Sequence, residues 1–253
     1  MAEEKMPADP EMREPDRLLS AAGPAAVCAW LFFYLLLPLL VAGYGRAELG
    51  WERLPVGWQV GLTLGMPCCT LLTVMAFLRW RAGRPVDWLV LFGLAGRKDD
   101  NVLFRALLAV IIWLPWVELI TGLWQAVLNQ LHWSYESQQQ MVALLNEVET
   151  RPLLLALLIL ATVVVAPVTE EIIFRRLLFE WLAPGFGRAP AVVLTSLLFG
   201  IVHWALLPAP GLILLAIGFQ LGYLWRRSLR LPVIWHMLHN GIALLAYYCW
   251  DLA

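Results

Sequence analysis

Residues 152–182 read PLLLALLILATVVVAPVTEEIIFRRLLFEWL. Outside one short interval nearly every position is Leu, Ile, Val, Ala or Phe. A membrane span needs about 20 predominantly apolar residues, and this run exceeds that length. Inside it sit Glu170, Glu171, Arg175 and Arg176. Charge at bilayer depth is costly, so an ionisable cluster there marks a functional site by default. The run opens on Pro152, which suits the first position of a helix. It ends at the break Ala183-Pro184-Gly185-Phe186-Gly187-Arg188.

The rest of the chain has the same character. Of 253 residues, 61% are hydrophobic and 15% charged, whereas a soluble chain is about 45–50% apolar. The composition implies an all-α, polytopic membrane helical bundle of about seven transmembrane helices in a single domain. Residues 1–20 are polar and rich in Glu, Asp and Pro; they are expected to be a disordered tail, with the transmembrane domain covering 21–253. The tail lacks the basic start and cleavage site of a signal peptide. Expected spans are 25–43, 58–78, 106–128, 152–182, 190–207, 212–225 and 231–250. Residues 138–150 carry an amphipathic repeat at Met141, Leu144, Leu145 and Val148, the pattern of a helix on the membrane surface or of a lead-in to the next span.

Arginines concentrate after the second, fourth and sixth spans, at Arg79–Arg84, Arg188 and Arg226–Arg230. The positive-inside rule places these connections in the cytoplasm, with the amino terminus inside and the carboxyl terminus outside. The expected location is the plasma (inner) membrane, multi-pass. Trp51, Trp58, Trp133 and Trp250 fall at the outer interface of this scheme, and Trp80 and Trp225 at the inner one. Gly218 and Gly222 have the small-xxx-small spacing that lets helices approach closely. The four cysteines, Cys28, Cys68, Cys69 and Cys249, lie in apolar runs without metal-ligand spacing. No basic face is left over, so nucleic acid is excluded as a partner; the lipid bilayer is the obligatory one.

Which polar residues could meet the glutamates? Glu170 and Glu171 project about 100° apart on a helix and are not a symmetric dyad. Glu171 and Arg175, four apart, share a face and should pair. That leaves Glu170 free for a cavity. His203 lies within the fifth span. His236 and Asn240 are one turn apart on the seventh, and both can donate hydrogen bonds to one point; His239 is a neighbour with a packing role. A carboxylate in an apolar setting can take a proton from water. A histidine can orient that water, and two side-chain donors form an oxyanion hole. This inventory points to amide-bond hydrolysis with water as nucleophile.

Glu170-Glu171-x-x-x-Arg175, Phe199-x-x-x-His203 and His236-x-x-x-Asn240 together resemble the three motifs of the CPBP family. These are the CAAX prenyl endopeptidases and bacteriocin-processing enzymes, also called the Abi family. The resemblance covers about 152–250 and includes the approach Leu221-Gly222-Tyr223-Leu224-Trp225-Arg226. It implies a glutamic-type intramembrane endopeptidase acting on a peptide or protein at the membrane. Glu170 and His203 would activate water, His236 and Asn240 would stabilise the oxyanion, and Glu171 and Arg175 would support the first motif. No cofactor is expected. A divalent metal such as zinc is chemically allowed on Glu170, His203 and His236, although Asn240 suits an oxyanion donor better. Two rival classes are a non-catalytic membrane scaffold or immunity protein and an ion-coupled transporter in which Glu118 faces Gln220. The internal repeats common in transporters are absent from the sequence. One tension is geometric. Counting about 1.5 Å per residue from the inner edge puts His203 about 20 Å deep and His236 about 8 Å. Either the fifth span starts deeper than Pro190 or Gly200 lets it break; the four groups are expected nonetheless to converge in the cytoplasmic half.

Overall fold

The computed structural model describes residues 54–95, 101–133, 139–203 and 205–251, with short pieces at 23–25, 27–29 and 32–33. The expected first span and polar tail lie almost wholly outside these residues. Among the described residues, eight helices follow Leu54: α1 (Val56–Ala82), α2 (Trp88–Leu91), α3 (Val102–Gln130), α4 (Gln139–Val148), α5 (Pro152–Phe186), α6 (Arg188–Ile201), α7 (Ala209–Arg226) and α8 (Arg230–Asp251). No strand occurs among the described residues. Three of the helices, α1, α3 and α5, are both long and apolar enough to cross a membrane. The outward face of α3 exposes Phe104, Ile111, Ile112, Trp116, Leu119 and Leu123. Such a continuous apolar surface is stable only against lipid. The chain is an integral membrane protein.

The helix ends follow local chemistry. Gly83, at φ 65°, takes the left-handed cap of α1 and donates its N–H to the Trp80 carbonyl, a conformation that costs glycine little. Asp87 caps α2, its Oδ1 accepting from the Leu89 and Val90 amides at 3.1 and 3.2 Å.

The long helix α5 is not uniform. Leu160–Val165 and Ile172–Leu178 are wound as π-turns, and the α-helical turn between them carries Glu170 and Glu171. Pro167 accounts for the first departure, since it has no N–H to give the ladder. Ala166 donates to the Ala161 carbonyl. The Thr162 carbonyl therefore loses both the donors that an α- or π-turn would supply.

Around α5 the helices pack in a compact order. α1 lies along its first half, α6 folds back along α7, and α3 packs against both α7 and α8. Glycine sets the closest approach. A Cβ on Gly218 would stand 2.7 Å from the rings of Trp113 and Trp235, so α7 can sit against α3 and α8 only with glycine there. Gly222 is in ordinary contact with Leu231, so only half of the small-residue pair is under steric pressure. Trp113 Nε1 donates to the Leu214 carbonyl at 3.1 Å and Trp124 Nε1 to Leu206 at 3.0 Å, fastening α3 to α7 and to its lead-in.

One expectation narrows and another changes. The segment read either as a surface helix or as a lead-in to the next span forms α4, and Leu144, Leu145 and Val148 bury against Val56, Val60 and Leu158, while Tyr247 of α8 donates to Asn146. These three residues are spent on protein rather than lipid. The fifth span, expected to reach Leu207, stops as a helix at Ile201. At 14 residues α6 is too short to cross.

Candidate active site

His203 follows α6 in a turn, and its ring lies 4.7 Å from that of Phe199. The same Phe199 ring is 5.8 Å from His236 on α8. Both imidazoles therefore contact the same phenyl ring.

His236 is the hub. It is 3% exposed, stacked on Phe219 at 4.7 Å. Its Nδ1 lies 2.9 Å from Glu171 Oε1 and its Nε2 3.8 Å from Glu170 Oε2. Adjacent glutamates on one helix thus address opposite nitrogens of a single ring. With Nδ1 as the donor to Glu171, the tautomer and orientation of the ring are fixed. Glu171 is fully buried, while the Glu170 side chain keeps 14% of its surface accessible. Glu170 is the carboxylate left open, as the helical geometry requires.

Arg175 fills the next shell. Its Nε is 3.0 Å from Glu171 Oε2, close enough for an ion pair but without the alignment of a hydrogen bond. Nη2 donates to the Ala216 carbonyl at 3.4 Å. The guanidinium lies over the rings of Phe199 at 4.7 Å and Phe219 at 5.3 Å. A cation buried among aromatic faces gains from their quadrupoles, and removing it would strand the Glu171 charge in a dry interior.

Asn240 stands beyond His236 on α8. Its Nδ2 donates to the Thr162 carbonyl at 2.9 Å, the group that Pro167 leaves without a helical partner. One amide hydrogen of Asn240 is thereby committed to the backbone, and a second is left. His203 Nδ1 lies 2.6 Å from the Phe199 carbonyl. With that nitrogen as donor, Nε2 is the acceptor of an exposed ring. No contact joins His203 directly to Glu170 among the described residues.

The structure brings Glu170, Glu171, Arg175 and His236 into one cluster, ties Asn240 to its edge, and leaves His203 across the Phe199 ring. No group of three His, Cys, Asp or Glu side chains with metal-holding geometry occurs among the described residues. Glu118 is exposed beside Trp116 and Leu119, whereas Gln220 is buried, so the pair that a transporter would need does not assemble. Sequence reasoning missed the aromatic walls. Phe219 lies outside all three motifs, and only its place one turn from Ala216 hints that it faces Arg175.

Fold and site together define a membrane-embedded helical protein built around a buried acid–imidazole–arginine centre. Residues 152–242, which carry every member of that centre, match the family described as type II CAAX prenyl endopeptidase Rce1-like. The chain is similar to YdiL of Bacillus subtilis (strain 168), which carries the name of a membrane peptidase: 31% identical over 105 residues, 41% of this chain and 41% of the relative. It is also similar to the membrane-embedded CAAX protease MroQ of Staphylococcus aureus (strain USA300), 30% identical over 88 residues, 32% of this chain and 36% of the relative. The matched parts amount to about two fifths of each curated relative. No solved structure matches the chain significantly.

Proposed function

We propose that this protein is an intramembrane endopeptidase that hydrolyses a peptide bond near the membrane surface by water activated at Glu170. The observation that carries the reading is the His236 ring held between two carboxylates, Nδ1 at 2.9 Å from Glu171 and Nε2 at 3.8 Å from Glu170. An imidazole fixed at one nitrogen presents the other to a substrate without reorganisation.

In this reading Glu170 takes a proton from water as the oxygen attacks the scissile carbonyl carbon, and later returns it to the leaving amine. His203, whose Nε2 is its free nitrogen, orients the attacking water. Asn240 donates to the oxyanion from its second amide hydrogen, and His236 donates from Nε2 in the doubly protonated ring, whose Nδ1–H stays on Glu171. Glu171 and Arg175 position His236. The substrate is a peptide or protein presented at the bilayer, and the name of the matched family makes a prenylated carboxy-terminal tail the first class to try. Basic connections after α1 and α7 favour a cytoplasmic site, with the amino terminus inside and the carboxyl terminus outside.

The test is cleavage of membrane-bound peptides by the purified protein in liposomes, with mass spectrometry of the products. Wild type should cut a prenylated carboxy-terminal peptide and Glu170→Gln should not, while both keep the same melting temperature. Equal cleavage by the two would refute a water-activating role for Glu170. Failure of wild type on prenylated, leader and sorting peptides alike would leave the scaffold reading in possession.

A further inference from the structure

The core around Arg175 holds buried polar atoms without hydrogen-bond partners: Arg175 Nη1, Ser196 Oγ, and both Oε1 and Nε2 of Gln220. Helical spacing relates Gln220 and Ser196 to residues that touch Arg175. Arg175 reaches α7 at the Ala216 carbonyl, and Gln220 stands four residues on, upon the same face of that helix. The same guanidinium lies 4.7 Å from the Phe199 ring of α6, and Ser196 stands three residues before it, again on the shared face. Arg175, Ser196 and Gln220 are each 1% exposed.

Several helix hydroxyls satisfy themselves, although Thr169 Oγ1, buried on α5, does not. Thr70, Thr162 and Thr195 each donate to the carbonyl one turn back, at 2.8 to 2.9 Å. Ser196, next to Thr195, does not. A glutamine with neither amide atom bonded is stranger still, because native interiors satisfy such groups with protein or with ordered water. Arg175 Nη1 and Gln220 Nε2 donate, Gln220 Oε1 accepts, and Ser196 Oγ does either. That set meets the two to four polar partners a buried water requires.

We propose that Gln220 and Ser196 bind water against the edge of the Arg175 guanidinium that Glu171 does not occupy, and that this hydration fixes Arg175 and, through Glu171, the His236 ring. Gln220 and Ser196 are then positioning residues. They lie outside the glutamate, histidine and asparagine positions of the three motifs and act through a chain of contacts, from Arg175 to Glu171 at 3.0 Å and from Glu171 to His236 at 2.9 Å. Water there supplies the acceptors a five-donor guanidinium lacks among its aromatic neighbours.

The direct test is a structure of the lipid-embedded protein at a resolution that shows water. Ordered density within about 3.2 Å of both Arg175 Nη1 and the Gln220 amide is expected. A direct Arg175–Gln220 hydrogen bond, or apolar closure around these atoms without density, overturns the proposal. This arm is independent of any peptidase activity. The kinetic arm rests on the peptidase reading and uses Gln220→Met, which keeps length and volume but not hydrogen bonding. It should lower kcat about tenfold with KM within about twofold, while Gln220→Glu, which keeps an acceptor, returns kcat to within about threefold of wild type. Equal loss in both variants, or loss in neither, overturns the positioning role. Should Gln220→Met not fold, Ser196→Ala carries the same comparison, with lowered kcat expected and unchanged kcat overturning it.

Discussion

Two polar networks lie one helical turn apart on α5, and they look alike in sequence. Glu171 pairs with Arg175 and Arg176 with Glu180, both at i,i+4. The first turns inward, onto His236 and a wall of Phe199 and Phe219. The second binds the protein together. Arg176 Nε donates to the Leu91 carbonyl at 2.8 Å and Nη1 to the Tyr223 hydroxyl at 3.0 Å. Tyr223 donates to Glu180 at 2.6 Å, and Arg227 reaches the same carboxylate at 3.4 Å. Through Leu91 this network clasps α2, whose neighbour Gly93 accepts from Ser228 and Leu229. No side-chain atom of Arg176, Glu180 or Tyr223 is buried without a hydrogen-bond partner, whereas Arg175 Nη1 is, and Glu171 Oε2 meets Arg175 Nε only as an ion pair. Spacing alone therefore finds ion pairs. What separates an anchor from a reactive centre is whether the partners from other helices satisfy the charges or leave capacity for a ligand.

Breaking the inner network should cost the most. Glu170→Gln and His236→Ala should each lower the rate of peptide cleavage by about 10²–10⁴-fold, the usual range for a lost acid–base group, with helical content by circular dichroism unchanged. A smaller loss than that of any variant in the outer network would reverse the comparison. Next comes Arg175→Met, which leaves Glu171 charged and alone. Removing one partner of a buried pair costs about 3–5 kcal/mol, to be read as a fall in thermal unfolding temperature in detergent. Arg176→Met should cost less, about 1–3 kcal/mol for the freed Leu91 carbonyl and Tyr223 hydroxyl. The folded fraction of that variant should retain kcat within about threefold. Smallest is Tyr223→Phe, at about 1 kcal/mol for one hydrogen bond and no change in kcat. If Tyr223→Phe instead matched Arg175→Met in lost cleavage, the outer network would belong to the site.

Much of this was legible in the residues. The i,i+4 rule finds the Glu171–Arg175 pair, and the angle between neighbours on a helix predicts that only one of the two glutamates stays open. Apolar run lengths predict α1, α3, α5 and α8 to within a few residues. Other features were not legible because they depend on partners distant in sequence. Nothing near Glu171 announces His236, 65 residues on. The amphipathic stripe of α4 reads equally well for lipid or protein, and only the presence of Val56, Val60 and Leu158 decides between them. Apolar length overshot α6, because hydrophobicity continues through Trp204–Leu207 after the backbone has turned.

Pro167 has a consequence that reaches past its own helix. Because it withholds a hydrogen, the Thr162 oxygen is offered sideways, and α8 answers with Asn240. The register of α8 against α5 is thus pinned by a missing atom. A Pro167→Ala chain would gain a competitor for that oxygen, and Asn240 would come unhooked while every side chain of the centre stayed chemically whole.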